Sequence, residues 1–220
     1  EPAHPCPSPR PNGAPSPPSA PSVKIAPISD ALSFARIGKK TIAVSSYANG
    51  RVTGLPVGNE GEDAISLVNR LGYDGVSALI AKGGAPITAN VGELAVPVDL
   101  LSRHIAAGTN YREHAEEATV EGGPFLFAKY VAPTPSRASV SAGDALLDYE
   151  VELCLVTLDA TSTTLRAKGG LMLCNDVTNR AKLMRNVDVA HPESGKGFTT
   201  GKSAPGYLPV GDLFVVPRDL

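Results

Sequence analysis

The chain has 220 residues, 42% hydrophobic and 19% charged, with a formal net charge of −2. That length supports a real hydrophobic core in one large domain or two small ones. A near-neutral balance without a basic stripe argues against nucleic acid as a partner, and no stretch reaches the ~18 consecutive apolar residues of a membrane-spanning helix.

Residues 1–22, "EPAHPCPSPRPNGAPSPPSAPS", hold nine prolines and almost no large apolar side chain. Such a segment cannot bury enough surface to offset its ordering entropy, so it reads as a disordered or polyproline tail. Residues 23–100 read as a small N-terminal α/β unit. "TIAVSSYANGRVTGLPV" is two β-prone runs around Asn49-Gly50, a hairpin signal. Ile65, Val68 and Leu71 recur at helical spacing, and Gly72 or Gly75 would end that helix. "DGVSALIAKGG" reads as a second short helix closed by Gly83-Gly84. No catalytic residue types cluster here.

From about residue 101 the texture changes, and residues 101–220 read as a second domain. "SRHIAAGTNYREHAEEAT" is a short strand, a turn and a helix, and "PFLFAKY" is a strand. "DALLDYEVELCLVTLD" is a long strand, and "KGGLMLCNDVTNRAKLMRN" is a strand running into a helix with Asp176 at the junction. A Gly- and Pro-punctuated loop follows and ends in an apolar strand. Many short strands with few helices give an α+β, mostly β fold class. Cys154 and Cys174 lie inside apolar runs, and no CxxC pairing exists. They read as buried thiols acting as small hydrophobes, with a disulfide or metal role as the less favoured alternative, and a reducing compartment fits that reading.

In "LLDYEVELCLV", Asp148, Glu150 and Glu152 occupy alternate positions, which in one strand puts them on one face about 7 Å apart. The apolar residues after them, Leu153 to Val156, run the strand into a core, where like charges are poorly screened. Something positive should sit beside them. With Asp176 at the mouth of the next strand, an oxygen-only ligand set suits a hard divalent cation. The competing reading is a solvated edge strand. In "NYREHAEEA", His114 and Glu117 are three apart and share a helix face. They form either a general-base dyad or an ordinary exposed ion pair. Lys202, in "FTTGKSAPGYLPVG", could hold a substrate carboxylate or stabilise an enolate. Lys196 is equally placed on spacing alone, and Lys129 in "LFAKY" is a third basic residue in a β context.

"GTNYREHAEE", "PFLFAKY", "LDYEVELCLV", "CNDVTNR" and "GKSAPGYLPVG", in this order from about Ile105 to Val216, resemble the fumarylacetoacetate hydrolase family. The resemblance implies a rolled, mixed β-sheet, usually in a homodimer. It implies a divalent metal, commonly Mg²⁺ with Mn²⁺ or Ca²⁺ as alternatives, held at Glu150, Glu152 and Asp176. It places the family's His-x-x-Glu pair on His114 and Glu117 and its active-site lysine on Lys202. The substrate would be a small 2-oxo or 2,4-dioxo acid, cleaved at a C–C bond by water that the dyad activates. Isomerase, decarboxylase and hydratase activities share that platform. Two departures touch the substrate pocket: Ala204-Pro205 follow the "GKS" where Phe-Asp is common, and Ala181 replaces an acidic residue. The family's later "GD…TGTP" stretch is not in the sequence, so the resemblance implies an incomplete catalytic domain. A catalytically silent metal- or acid-binding module is the rival from another class. A cytoplasmic location is expected, with export after removal of a signal peptide left open.

Overall fold

The computed structural model describes residues 22–117, 123–141, 146–158, 169–188, 190–191 and 194–219. Strands β1 (Ala31–Ile37), β2 (Lys40–Ala48) and β3 (Arg51–Pro56) form an antiparallel meander. The β2–β3 turn is Asn49-Gly50, with φ of 53° and 70°, as a tight hairpin turn with two left-handed residues requires. Helix α1 (Ala64–Ala81) opens at Asp63, whose carboxylate accepts the Ser66 N–H, and buries Ala64, Leu67, Val68 and Val76. Gly72 breaks it with φ 70° and ψ 169°, so the two helices expected from the sequence form one kinked element. β4 (Ile87–Asn90) pairs with β3, and β5 (Leu94–Ala95) pairs with β1.

Further along, β6 (His104–Gly108) leads to the short helix α2 (Arg112–Glu117), and β7 (Phe125–Lys129) returns antiparallel to β6. Then come β8 (Thr134–Pro135), β9 (Leu147–Asp148), β10 (Val151–Thr157), β11 (Gly169–Asn175) and β12 (Thr178–Asn179). Helices α3 (Arg180–Asn186) and α4 (Phe198–Lys202) precede β13 (Pro209–Val210) and β14 (Phe214–Pro217).

A ten-stranded sheet runs β4-β3-β2-β1-β14-β11-β13-β8, with β10 added on β11 and β5 on β1. It is mixed, because β8 and β13 are parallel while its other pairs are antiparallel. Few helices accompany it, so the molecule is mostly β, as the sequence implies. The sheet takes strands from both sides of residue 100: β1 pairs β14 with Phe34 opposite Phe214. Both rings are fully buried, with Leu32, Leu67, Met172 and Val216 around them. Among the described residues no helix is long and apolar enough to cross a membrane.

Three features depart from expectation. The acidic strand is not continuous, because Tyr149 and Glu150 interrupt it between β9 and β10. The leucines of β10 do not run into the core: Val151, Leu153 and Leu155 are exposed, and Glu152, Cys154 and Val156 point inward. β10 hydrogen-bonds only to β11, and its outer face has nothing packed on it among the described residues. Finally, Cys154 and Cys174 are not separate thiols but a disulfide with Cα atoms 5.9 Å apart. The register sets Cys154 opposite Met172 and Cys174 opposite Glu152, which makes the two cysteines diagonal neighbours on one face.

Candidate functional site

Three local structures aim side chains at one cavity. In β7 the period-2 alternation turns Phe125, Phe127 and Lys129 inward and leaves Leu126 and Tyr130 at the surface. In α4, Phe198 and Lys202 are four residues apart and so share a helix face. Gly197, with φ 89°, starts that helix in a conformation that favours glycine, and the Thr199 hydroxyl pins it to β7 by donating to the Ala128 carbonyl at 2.6 Å. The third structure is the pair of β-strand ends that carry the acids. The Asp176 N–H donates to the Glu150 carbonyl at 2.8 Å, and the Glu150 N–H donates to Asn175 Oδ1 at 3.0 Å.

Glu150 and Asp176 are each held through both oxygens. The Lys202 ammonium uses all three of its protons: on Glu150 Oε2 at 2.8 Å, on Asp176 Oδ2 at 2.8 Å and on Thr178 Oγ1 at 2.7 Å. The Lys129 ammonium donates to Asp176 Oδ1 at 2.6 Å and to the Lys202 carbonyl at 2.5 Å. Thr178 donates to Glu150 Oε1 at 2.9 Å. Arg180 bridges Glu150 Oε1 at 2.9 Å and Asp148 Oδ2 at 2.7 Å. Both lysines are 2% exposed. Burial pushes the Lys129 ammonium below the usual lysine range, Lys202 beside it pushes the same way, and Asp176 opposes both.

Glu152 is different. No described cation forms a salt bridge with it, and its side-chain partner is the Tyr111 hydroxyl. Burial raises its carboxyl pKa, and so do the adjacent Glu150 and Asp176 carboxylates, against the opposing Tyr111 hydrogen bond and the Lys202 charge. The Tyr111 phenol is raised as well, by its own burial and then by Glu152. Among the described side chains, four carboxylates, Asp148 included, therefore face three cations, Lys129, Arg180 and Lys202, and Glu152 is the acid without a cationic partner.

The cavity is about 360 Å³. Its lining combines the charged Glu150, Glu152, Asp176, Arg180 and Lys202 with the polar Thr109, Asn110 and Tyr111 and with Phe125, Phe127, Phe198 and Leu183. The three rings pack as a cluster with centroids 4.8 to 6.3 Å apart. Gly108 makes room for them, since a Cβ there would run into the Phe125 ring. The Lys202 ammonium lies 5.7 Å from the centre of the Phe127 ring.

The structure thus brings Glu150, Glu152, Asp176 and Lys202 to one cavity. It separates Lys202 from Lys196, which is exposed and lines no part of it. The backbone of His114 and Glu117 lies in α2, but their side chains fall outside the described residues. Among the described residues, no three His, Cys, Asp or Glu side chains converge closely enough as placed to hold an ion. The positive charge that the sequence demands beside the acids is supplied here by Lys202, Lys129 and Arg180. Arg180 and Tyr111 are the members that sequence reasoning missed. The alternation Phe125-x-Phe127-x-Lys129 was a readable signal for the third cation, whereas Arg180 has no marker beyond following Asp176 by four residues.

Residues 103–220 match the sequence model of the family described as fumarylacetoacetate (FAA) hydrolase C-terminal. No curated protein matches the sequence. Among solved structures, the chain resembles a protein from Mycobacterium smegmatis that carries the provisional name HpcE. The TM-score is 0.55 and the identity 20%, over 83% of this chain and 65% of that one. It also resembles 2-hydroxyhepta-2,4-diene-1,7-dioate isomerase from Mycobacterium marinum, with TM-score 0.50 and 17% identity over 85% of this chain and 66% of that one. These likenesses show the fold, and the chain spans about two thirds of the length of either structure.

Proposed function

Since the chain belongs to the fumarylacetoacetate hydrolase family, we propose that its cavity is the active site of a divalent-metal-dependent hydrolase that cleaves a C–C bond in a small 2-oxo or 2,4-dioxo acid. The observation that carries this reading is the surplus charge: three carboxylates, Glu150, Glu152 and Asp176, line one cavity, and among the described side chains the cluster around them is one positive charge short. A divalent cation with a monoanionic substrate would bring that sum to zero. The donor set is all oxygen, which fits Mg²⁺, Mn²⁺ or Ca²⁺ better than zinc.

Glu150, Glu152 and Asp176 would hold the ion, and bound there it would supply Lewis-acid polarisation of the substrate's 2-oxo group. Lys202 lines the cavity, where its ammonium can turn from Glu150 or Asp176 to a substrate carboxylate. His114, oriented by Glu117, would take a proton from water, and the water oxygen would attack the 4-carbonyl carbon. The C3–C4 bond would then break with its electron pair going to C3 as the enolate of the 2-oxo acid, His114 would return the proton to C3, and the acyl half would leave as a carboxylic acid, while the phenylalanine rings limit access of bulk water. Isomerisation, decarboxylation or hydration of a 2-oxo acid would use the same groups. A homodimer is part of the proposal, and the exposed apolar row Val151, Leu153, Leu155 and Leu173 supports it.

A second reading has its own support. The chain's own side chains already satisfy both oxygens of Glu150, through Lys202, Thr178 and Arg180, and both of Asp176, through Lys129 and Lys202, as in a catalytically silent binding module. Turnover assays separate the two. The protein is loaded with Mg²⁺ or Mn²⁺ and offered acylpyruvates, fumarylpyruvate and oxaloacetate. Pyruvate release that stops on chelation and in His114→Ala supports the enzyme. A folded, metal-loaded protein that turns over none of them is the silent module.

A further inference from the structure

Resting on the reading of the cavity as a 2-oxo acid site, we propose that its substrate carries a single carboxylate and a flat apolar or aryl tail, which lies along Phe125, Phe127 and Phe198.

The three phenylalanine rings line the same cavity as the acids, Lys202 and Arg180. A 2-oxo acid head that meets Lys202 has the Phe127 ring immediately behind it, because the ammonium and ring centre are 5.7 Å apart. The tail must therefore run onto aromatic faces. A conjugated enol or an aryl group is planar and can stack on such faces. Phe198 extends the surface of Phe127, with centroids 5.3 Å apart, and meets Phe125 edge-on at 4.8 Å.

A second carboxylate lying against the rings would meet no cation among the described residues. Among the described residues that line the cavity, the cationic side chains are Lys202 and Arg180. Arg180 is engaged by Asp148 and Glu150 at 2.7 and 2.9 Å, and Lys202 sits at the head. A carboxylate placed against Phe125 and Phe198 would lose its water and gain no partner, which is costly. The charge sum of the described side chains agrees: one net negative charge plus a divalent cation leaves room for one anionic group on the substrate, not two.

The test is calorimetric binding to the Mg²⁺-loaded full chain, with three probes that need no turnover. Oxalate reports the head site alone, phenylpyruvate adds an aryl tail, and 2-oxoglutarate adds a second carboxylate. The expected result is that oxalate binds and phenylpyruvate binds at least about tenfold more tightly than 2-oxoglutarate. In Phe198→Lys, at a half-buried position, that order should reverse while oxalate affinity is kept. Phe127→Leu, which keeps an apolar side chain at a buried position, should narrow the phenylpyruvate advantage; circular dichroism checks folding of both variants. Oxalate binding with 2-oxoglutarate equal to or tighter than phenylpyruvate overturns the tail assignment and leaves the head site standing. Failure of all three probes on the metal-loaded protein overturns the head site, and the tail assignment with it.

Discussion

Two acidic clusters in this molecule use the same kinds of side chain and end in opposite states. At the junction of β2 with the loops flanking β8 and β13, Asp212 accepts from the Tyr47 hydroxyl at 2.7 Å, Ser136 at 2.6 Å and Arg137 at 2.8 Å. One acid meets one cation, and every oxygen is used. Burial raises the Tyr47 phenol and Asp212 adds to it, while Asp212 holds the Arg137 guanidinium above its usual range. In the cavity, Glu150 and Asp176 are as thoroughly paired, yet Glu152 is left as an extra charge among them. The balanced cluster ties distant strands together. The unbalanced one has a reason to take a ligand, and the difference is one carboxylate.

The comparison can be broken from its cavity side first. Asp176→Ala should destabilise the chain most, by about 3–5 kcal/mol in urea unfolding, because two buried ammonium groups lose their shared partner. Reducing the Cys154–Cys174 disulfide should cost about 3 kcal/mol for a loop of this size. Reduction should lower the urea midpoint without touching the Asp212 cluster. Asp212→Asn should cost about 2 kcal/mol through weakened charge-assisted hydrogen bonds, and metal affinity should not change. Glu152→Gln should have the smallest effect and the opposite sign: no loss of stability, or a gain under about 1 kcal/mol, in the metal-chelated protein. The pH dependence sharpens this last contrast. Glu152's folded pKa is raised, so the folded chain holds that proton to higher pH than the unfolded chain does. Its contribution to stability is greatest below the unfolded carboxyl range and falls as pH rises through the raised value. A urea midpoint measured against pH in chelator should show that decline in wild type and a flatter profile in Glu152→Gln.

Much of this arrangement was legible in the sequence because it is local. Asn49-Gly50 gives the hairpin, Gly72 gives the break in α1, and the turn chemistry needs no distant partner. The candidate acids and Lys202 were legible from an ordered set of segments and from the odd placement of carboxylates among apolar residues. What stayed hidden depends on register and on long-range pairing. The disulfide follows from setting Cys174 opposite Glu152, which nothing in two separate apolar runs announces. The exposure of Leu153 and Leu155 follows from their lying on the outer face of β10, on which no described residue packs, and hydrophobicity alone points the other way. The cations that neutralise the acids come from β7, α3 and α4, and each reaches them only after folding.

The most direct test of the surplus-charge account is a Mn²⁺ titration of the purified chain followed by electron paramagnetic resonance, with Glu152→Gln and Glu150→Gln beside it. One Mn²⁺ per chain in wild type, with affinity reduced at least about tenfold in both variants, is the predicted result. Wild-type protein that binds no Mn²⁺, or variants that bind it as tightly as wild type, would contradict the account and leave the three cations as the whole of the site's chemistry.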